Sequence, residues 1–446
     1  MLRIAPVLCC CVGLVAASAG TANQRAKSPN ASPMNALAES YVKLVLALGQ
    51  HDADYVDAYY GPAEWKKEAE SAKIPLDQIR TKAQALLTDL SRVSRPQGDE
   101  ISGLRHQYLE RQLSALEARV RMLQGERLSF DAESKALYDA VAPTHPEVYF
   151  QRILDRLDKL FPGSGSIVER YDAYRRAFVI PPAKLDAVFQ ASIRACRERT
   201  LKHIPLPQTE SFKVEYVTGK SWSGYNWYQG NYRSLIQVNT DLPIYIDRAI
   251  DLACHEGYPG HHVYNALLEK HLVRDRGWPE FSVYALFSPQ SLIAEGTANY
   301  GIEVAFPGME RVTFEKTVLF PAAGLDPSKA ANYYEVFNLV DQLAYAGNEA
   351  ARRYINREID REGAVAWLER YALMPRERAT QRVRFFDQYR SYVINYNLGK
   401  DMVQRYIESK IPREVRERPT ADAASALRWQ EFEKLLSSPR LPSSLN

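Results

Sequence analysis

Residues 211–262 read SFKVEYVTGKSWSGYNWYQGNYRSLIQVNTDLPIYIDRAIDLACHEGYPGHH, and the change of pattern inside this stretch decides the fold class. FKVEYV, YNWYQGNY and RSLIQVN are rich in aromatic and β-branched residues. Gly219, Gly224 and Gly230 separate them, as expected of two or three short strands of a small antiparallel sheet. After Asn239 the pattern becomes helical. Asp241 is a candidate N-cap, Pro243 suits a first turn, and Ile246, Ala249, Ile250 and Ala253 recur at helical spacing. The sheet therefore leads into a helix that carries His255 and Glu256 near its end.

Working outward, both flanks read as helical. On the N-terminal side Leu37, Tyr41, Leu44 and Leu48 form one apolar stripe, and Leu104, Tyr108, Leu109, Leu113, Leu116 and Val120 form another. Breaks fall at Gly61-Pro62, Ser94-Arg95-Pro96, Pro143 to Pro146 and Pro181-Pro182. On the C-terminal side the helical pattern is interrupted at Trp278-Pro279, Pro307-Gly308, Pro321, Asp326-Pro327 and Pro375. One small sheet within a mostly helical chain predicts a mainly α (α+β) fold. We divide it into a helical subdomain, 35–205, and a subdomain with the sheet and metal-binding helices, 206–446. A chain of 446 residues is long enough for a large core in each.

Composition narrows the function. With 57 Lys and Arg against 54 Asp and Glu, the net charge of +3 argues against nucleic-acid binding and electrostatic membrane docking. At 46% hydrophobic and 25% charged residues, the chain is not disordered overall. Three of the five cysteines, Cys9 to Cys11, lie in the apolar run Ile4 to Ala17, which follows Arg3 and ends at Ala17-Ser18-Ala19. That is the pattern of a secretory signal peptide, residues 1–19, and it predicts a periplasmic or secreted protein. The run falls short of the ~20 apolar residues of a membrane span, so no integral membrane segment is expected in the mature chain. Residues 20–34, small and polar with prolines, read as a disordered linker. The mature chain keeps only Cys196 and Cys254, too few for a disulfide framework. Cys254 points about 100° away from His255 on a helix and is read as packing.

The chemistry is concentrated at His255-Glu256-Gly257-Tyr258-Pro259-Gly260-His261-His262. In zinc hydrolases of the HExxH type, two histidines four apart on a helix bind the metal, and the glutamate beside the first acts as general base. Here His255 and His261 are six apart, a rise of about 9 Å on a regular helix. Both cannot reach one ion on a straight helix. Pro259 removes a backbone donor and Gly260 relaxes the chain, so a break at Tyr258-Pro259-Gly260 can bring His261 onto the His255 side. His261 is the preferred second ligand over its competitor His262, and the histidine left over is expected beside a ligand or in contact with substrate. The third ligand in such sites is usually a helical carboxylate. Glu295 qualifies: Ser288 and Pro289 start a helix, and Leu292, Ile293 and Ala298 put Glu295 on an apolar face. Asn299, one turn on, is placed to orient a ligand histidine. Glu303 is a weaker candidate.

HEGYPGHH followed by AEGTANYGIE resembles the bacterial domain-of-unknown-function 885 family, metallopeptidases with an HExxPGHH box and a downstream EGxAxY box. Residues 55–62, YVDAYYGP, are similar to that family's N-terminal region, and Thr297 stands where members commonly carry Trp. The resemblance implies a helical, gluzincin-like scaffold with His255, a second histidine and Glu295 on zinc and Glu256 as base.

Two further segments are candidates for substrate and transition-state contacts. Residues 390–400 bring Arg390, Tyr392, Tyr396 and Asn397 together on a helix. Tyr396 is the expected oxyanion donor, while Arg390 and Tyr392 are expected to bind substrate, the arginine through a peptide's terminal carboxylate. Tyr345 and Arg352 or Arg353 are weaker candidates. The strand 233–239, as a sheet edge, can pair with an extended peptide. The sequence thus predicts an exported zinc-dependent peptidase acting on a peptide substrate. The alternatives are an amidohydrolase of non-peptide amides and a binding protein with a structural metal.

Overall fold

A computed structural model describes residues 32–96, 98–417 and 421–445. The expected signal peptide and residues 20–31 of the expected linker lie outside the described residues. The first helix, α1 (Pro33–Leu48), starts within the last residues assigned to that linker.

The helical stripes become buried faces. Tyr41, Leu44 and Leu48 of α1 point inward, and α2 (Leu76–Ser91) and α3 (Glu100–Leu123) pack against α1 and each other. On α3, Tyr108, Leu109, Leu113, Leu116 and Val120 are all buried. α4 (Phe130–Tyr138) and α5 (Leu185–Leu201) follow. One continuous cluster of buried apolar side chains extends from Met34 to Leu445.

Among the described residues there are two small sheets. β1 (Val56–Tyr59) pairs antiparallel with β5 (Val283–Ala285). The second sheet holds β2 (Ser211–Val217), β3 (Gly224–Gly230) and β4 (Arg233–Asn239), in the order β2-β4-β3. β3 and β4 form the expected antiparallel hairpin, closed by Asn231 and Tyr232, both with positive φ, as a type I′ turn requires. β2, however, runs parallel to β4. The loop between β2 and β3 does not turn back as a hairpin but passes the end of β4. Asn239 Nδ2 holds it there by donating to the carbonyls of Lys220 and Trp222, and the Asp241 carboxylate accepts from the Gly219 and Lys220 amides. With Asp241 so engaged, the next helix starts only at Ile246.

The remaining helices needed here are α6 (Ile246–Leu252), α7 (His261–Leu268), α8 (Pro289–Ala305), α9 (Arg376–Tyr389), α10 (Ile394–Lys410) and α11 (Ala421–Leu436). α8 begins where Ser288-Pro289 predicted, although the Ser288 hydroxyl donates to the Ala285 carbonyl rather than capping the helix. α8 and α10 cross in close backbone contact. A Cβ on Gly296 would lie 2.5 Å from the Gly399 carbonyl, and one on Gly399 would lie 2.7 Å from the Leu292 carbonyl. Only glycines allow that approach.

Candidate metal centre

The helix entering the HEGYPGHH segment breaks where the Pro-Gly pair predicted. α6 passes into a single π turn over Ala253–Gly257, the Tyr258–Pro259 peptide is cis, and α7 starts at His261. Gly260 lies directly on the turn before it. Its amide donates to the Cys254 carbonyl at 2.9 Å, and a Cβ there would fall 1.9 Å from the His255 carbonyl oxygen. The fold-back therefore needs glycine. It seats the His261 ring edge-on against the His255 ring, with the two Nε2 atoms 3.1 Å apart.

Glu295 reaches the same point from α8. Its Oε2 lies 3.2 Å from His255 Nε2 and 3.7 Å from His261 Nε2. Donors ~2.0–2.1 Å from one tetrahedral ion stand about 3.4 Å from each other, so the three edges fit a zinc-sized ion. A second observation agrees. Oε2 is buried and makes no hydrogen bond, although two imidazole nitrogens face it. A buried oxygen with no partner is costly and is expected where a ligand completes it. Among the described residues, these three form the one group of His, Cys, Asp and Glu side chains whose ligand atoms converge in this way.

The surroundings fix the donors. Asn299 Nδ2 donates to the Tyr396 carbonyl, which turns its Oδ1 toward His255 Nδ1 at 3.1 Å. An amide oxygen only accepts, so His255 carries its proton on Nδ1 and leaves the Nε2 lone pair free. The Tyr392 hydroxyl donates to Glu295 Oε1 at 2.8 Å and so aims Oε2 at the histidines. Burial acts to raise the pKa of Glu295, but the His255 and His261 imidazoles beside it outweigh that and hold the carboxyl well below the usual range. It is an anion ready to bind a cation.

Glu256 is buried in the wall of the same cavity. Its Oε1 packs where a Cβ on Gly224 would stand, 2.8 Å away, so the bare backbone at the start of β3 makes room for the carboxyl. Asn226 Nδ2 donates to the Glu256 carbonyl and ties the π turn to the sheet. Burial lifts the Glu256 carboxyl to about 7; a dication beside it would draw that value down. The cavity measures about 1330 Å³ and is lined by Asp57, Tyr225, Arg382 and Tyr396 among others.

The other expected site residues divide. His262 turns away from the cluster. Its Nδ1 meets the Ser234 hydroxyl at 2.9 Å and its Nε2 meets Glu210 at 3.0 Å, so it neither binds an ion nor holds a ligand. Consecutive residues on a helix point about 100° apart, which is why one histidine faces the cavity and the next faces the sheet. Tyr392 is not free for substrate, because its hydroxyl holds Glu295. Arg390 is spent on Glu133 of α4 at 2.6 Å and does not line the cavity. Tyr396 does line it, as expected of an oxyanion donor. Glu303 pairs with Lys400 outside the cluster. Tyr345 bonds Asp401, Arg352 is buried against Glu349 and Asp131, and Arg353 reaches Glu147. β4 is the central strand of its sheet, and the edge strand that lines the cavity is β3, with β1 packed against it. Cys196 and Cys254 are buried free thiols.

Several contributors carried no sequence signal. Glu210 lies in a loop far from the motif. Asp57, which accepts from the Tyr225 hydroxyl, sits on β1 within YVDAYYGP, the one hint that the segment borders the site. Gly224 and Gly399 matter only through close approach in space.

No family model matches the chain, and no curated protein matches its sequence. Among solved structures, a candidate lipoprotein from Colwellia psychrerythraea is similar at a TM-score of 0.46 and 16% identity, covering 81% of this chain and 63% of that one. A candidate lipoprotein of unknown function from Shewanella oneidensis gives a TM-score of 0.39 at 13% identity, covering 83% of this chain and 75% of that one. The chain thus spans less than two thirds of the length of the first of these. Among the described residues, no helix is long and apolar enough to cross a membrane.

Proposed function

We propose that this chain is an exported zinc-dependent hydrolase that cleaves peptide bonds. One observation carries the reading: donor atoms of His255, His261 and Glu295 converge at 3.1–3.7 Å on a cavity whose wall also holds the Glu256 carboxyl. A zinc ion held by these three residues would supply Lewis acidity, activating a water and polarising the scissile carbonyl.

The chain's own residues do the rest. Glu256 takes a proton from the attacking water at its carboxylate and passes it to the leaving amine nitrogen as the C–N bond breaks. The Tyr396 hydroxyl donates to the carbonyl oxygen as negative charge develops there. Asn299 and Tyr392 keep the ligand set aimed. The cavity exceeds the ~300–1,000 Å³ typical of small-ligand pockets. That size favours a peptide over a small amide. A three-residue ligand set also supports catalysis over a closed structural site, which takes four protein ligands. The HExxPGHH and EGxAxY boxes support the peptidase reading, and the apolar run ending at Ala17-Ser18-Ala19 supports export to the periplasm or beyond.

The test is metal removal. The purified chain is expected to carry about one zinc by elemental analysis. Mass-spectrometric profiling of a peptide digest should show cleavage that a chelator abolishes and added zinc restores. Undiminished cleavage by the stripped chain, or no retained ion at saturating zinc, would overturn the proposal.

A further inference from the structure

The cavity wall is rich in cations, and most of them are hydrogen-bonded or ion-paired. Arg248 pairs with Asp251, Arg311 with Asp251 and Glu315, and Lys400 with Glu303, while Arg428 binds Glu408. Arg175 stacks on Tyr245 with its guanidinium carbon 3.8 Å from the ring centre, and Arg378 donates to the Pro243 carbonyl at 2.9 Å. Among the cavity's cations, Arg175 and Arg382 alone make no hydrogen bond or ion pair among the described residues, and of the two it is Arg382 that stands beside Tyr396. The Arg382 side chain is held only by aromatic faces. Its guanidinium carbon lies 4.6 Å from the Phe385 ring centre and 5.7 Å from that of Tyr396. The Tyr396 ring in turn lies 5.8 Å from the Tyr392 ring, whose hydroxyl holds Glu295. Arg382 is therefore the unpaired cation nearest the candidate metal ligands by this chain of rings, on the same cavity.

A half-buried guanidinium has lost part of its water and gained no acceptor in exchange. Its planar fork matches a carboxylate with two parallel hydrogen bonds. Stacking on Phe385 and Tyr396 fixes its direction in advance, so little ordering is lost when an anion arrives. Arg390, which the sequence offered for this task, is already spent on Glu133.

We infer that Arg382 is the specificity residue of the site and receives a substrate carboxylate, either a peptide's free C-terminus or an acidic side chain close to the cleaved bond. The inference rests on the peptidase reading and assigns that peptidase its substrate class.

The experiment reads binding as well as turnover. Three pools of randomised tripeptides are titrated calorimetrically into the metal-free chain and into zinc-loaded Glu256→Gln. The pools are free acids, C-terminal amides without acidic residues, and amides ending in Glu. The free acids or the Glu-terminated amides should bind at least about tenfold more tightly than the neutral amides, the scale of one charge-assisted bidentate contact. Whichever of the two carries the preference identifies the source of the carboxylate. Arg382→Met should bring the pools within about twofold of each other, Arg382→Lys should keep part of the preference, and Arg378→Met should keep it. Circular dichroism of each variant controls for folding. Equal binding of all pools, no measurable binding, a preference that survives Arg382→Met, or one abolished by Arg378→Met would each overturn the assignment. If the preference is present but zinc-loaded wild type cleaves none of the pools, the peptidase reading fails while the carboxylate site stands.

Discussion

His261 and His262 are neighbours in sequence, yet they belong to two buried polar clusters of opposite character. On the cavity side, His255, His261 and Glu295 crowd together with Glu295 Oε2 unbonded. On the sheet side, His262 has Ser234 on one ring nitrogen and Glu210 on the other. Glu210 also accepts from the Tyr258 hydroxyl at 2.5 Å and from Arg197 at 2.6 Å. A buried network whose donors and acceptors match is complete and rigidifies the fold. One whose lone pairs converge on a single point is built for something else. The clusters share the same short helix start, so satisfaction of hydrogen bonds, not residue type, separates anchor from site.

Swapping the damage between the two histidines is the strongest way to break this comparison. His261→Ala should abolish stoichiometric zinc binding by elemental analysis and leave the melting curve of the metal-free chain nearly in place. His262→Ala should do the reverse, retaining zinc but losing about 3 kcal/mol in denaturant unfolding, because it strips a buried partner from Glu210. If both variants lose metal equally, the division is wrong.

Next in size, Glu256→Gln should keep its zinc and lower peptide turnover by ~10²–10⁴-fold, the usual worth of a general base. Normal turnover would remove Glu256 from the chemistry.

Asn299→Ala sharpens the cavity side by a smaller step. Losing the oxygen that fixes the His255 tautomer should weaken zinc affinity by about 10–100-fold in a competition titration.

The smallest effect is in acid. Burial would raise the Glu210 pKa, but hydrogen bonds from His262, Tyr258 and Arg197 hold it at about 2. Its folded value lies below its unfolded one, so the stability it contributes is complete above about pH 4.5 and is lost as pH falls toward 2. In Glu210→Gln the melting temperature should fall less steeply over that window than in wild type.

Much of this could be read in advance where the signal was local. The apolar stripes of residues 37–48 and 104–120 define helix faces without help from the rest of the chain, because a 3.6-residue period is a property of one segment. The break at Tyr258-Pro259-Gly260 was equally plain, since proline and glycine constrain their own backbone. So was the hairpin of β3 and β4. The parallel placement of β2 was not: it depends on Asn239 catching a loop 17–19 residues earlier in the chain. Arg390 and Tyr392 misled for a related reason. Residue type marked them as suited to bind a carboxylate or a carbonyl, but Glu133 and Glu295, far away in sequence, had already claimed them.

The sequence by itself determined a mainly helical chain, a broken helix carrying two histidines and a glutamate, and a second helix bearing Glu295, because spacing and backbone chemistry act within a few residues. Only the tertiary structure decided that His261 rather than His262 faces Glu295, that Gly296 and Gly399 let two helices touch, and that Arg382, unlike Arg390, stands beside Tyr396 without an ion pair. Those outcomes depend on which partners meet across long separations, and side-chain pairing in three dimensions has no signature in one.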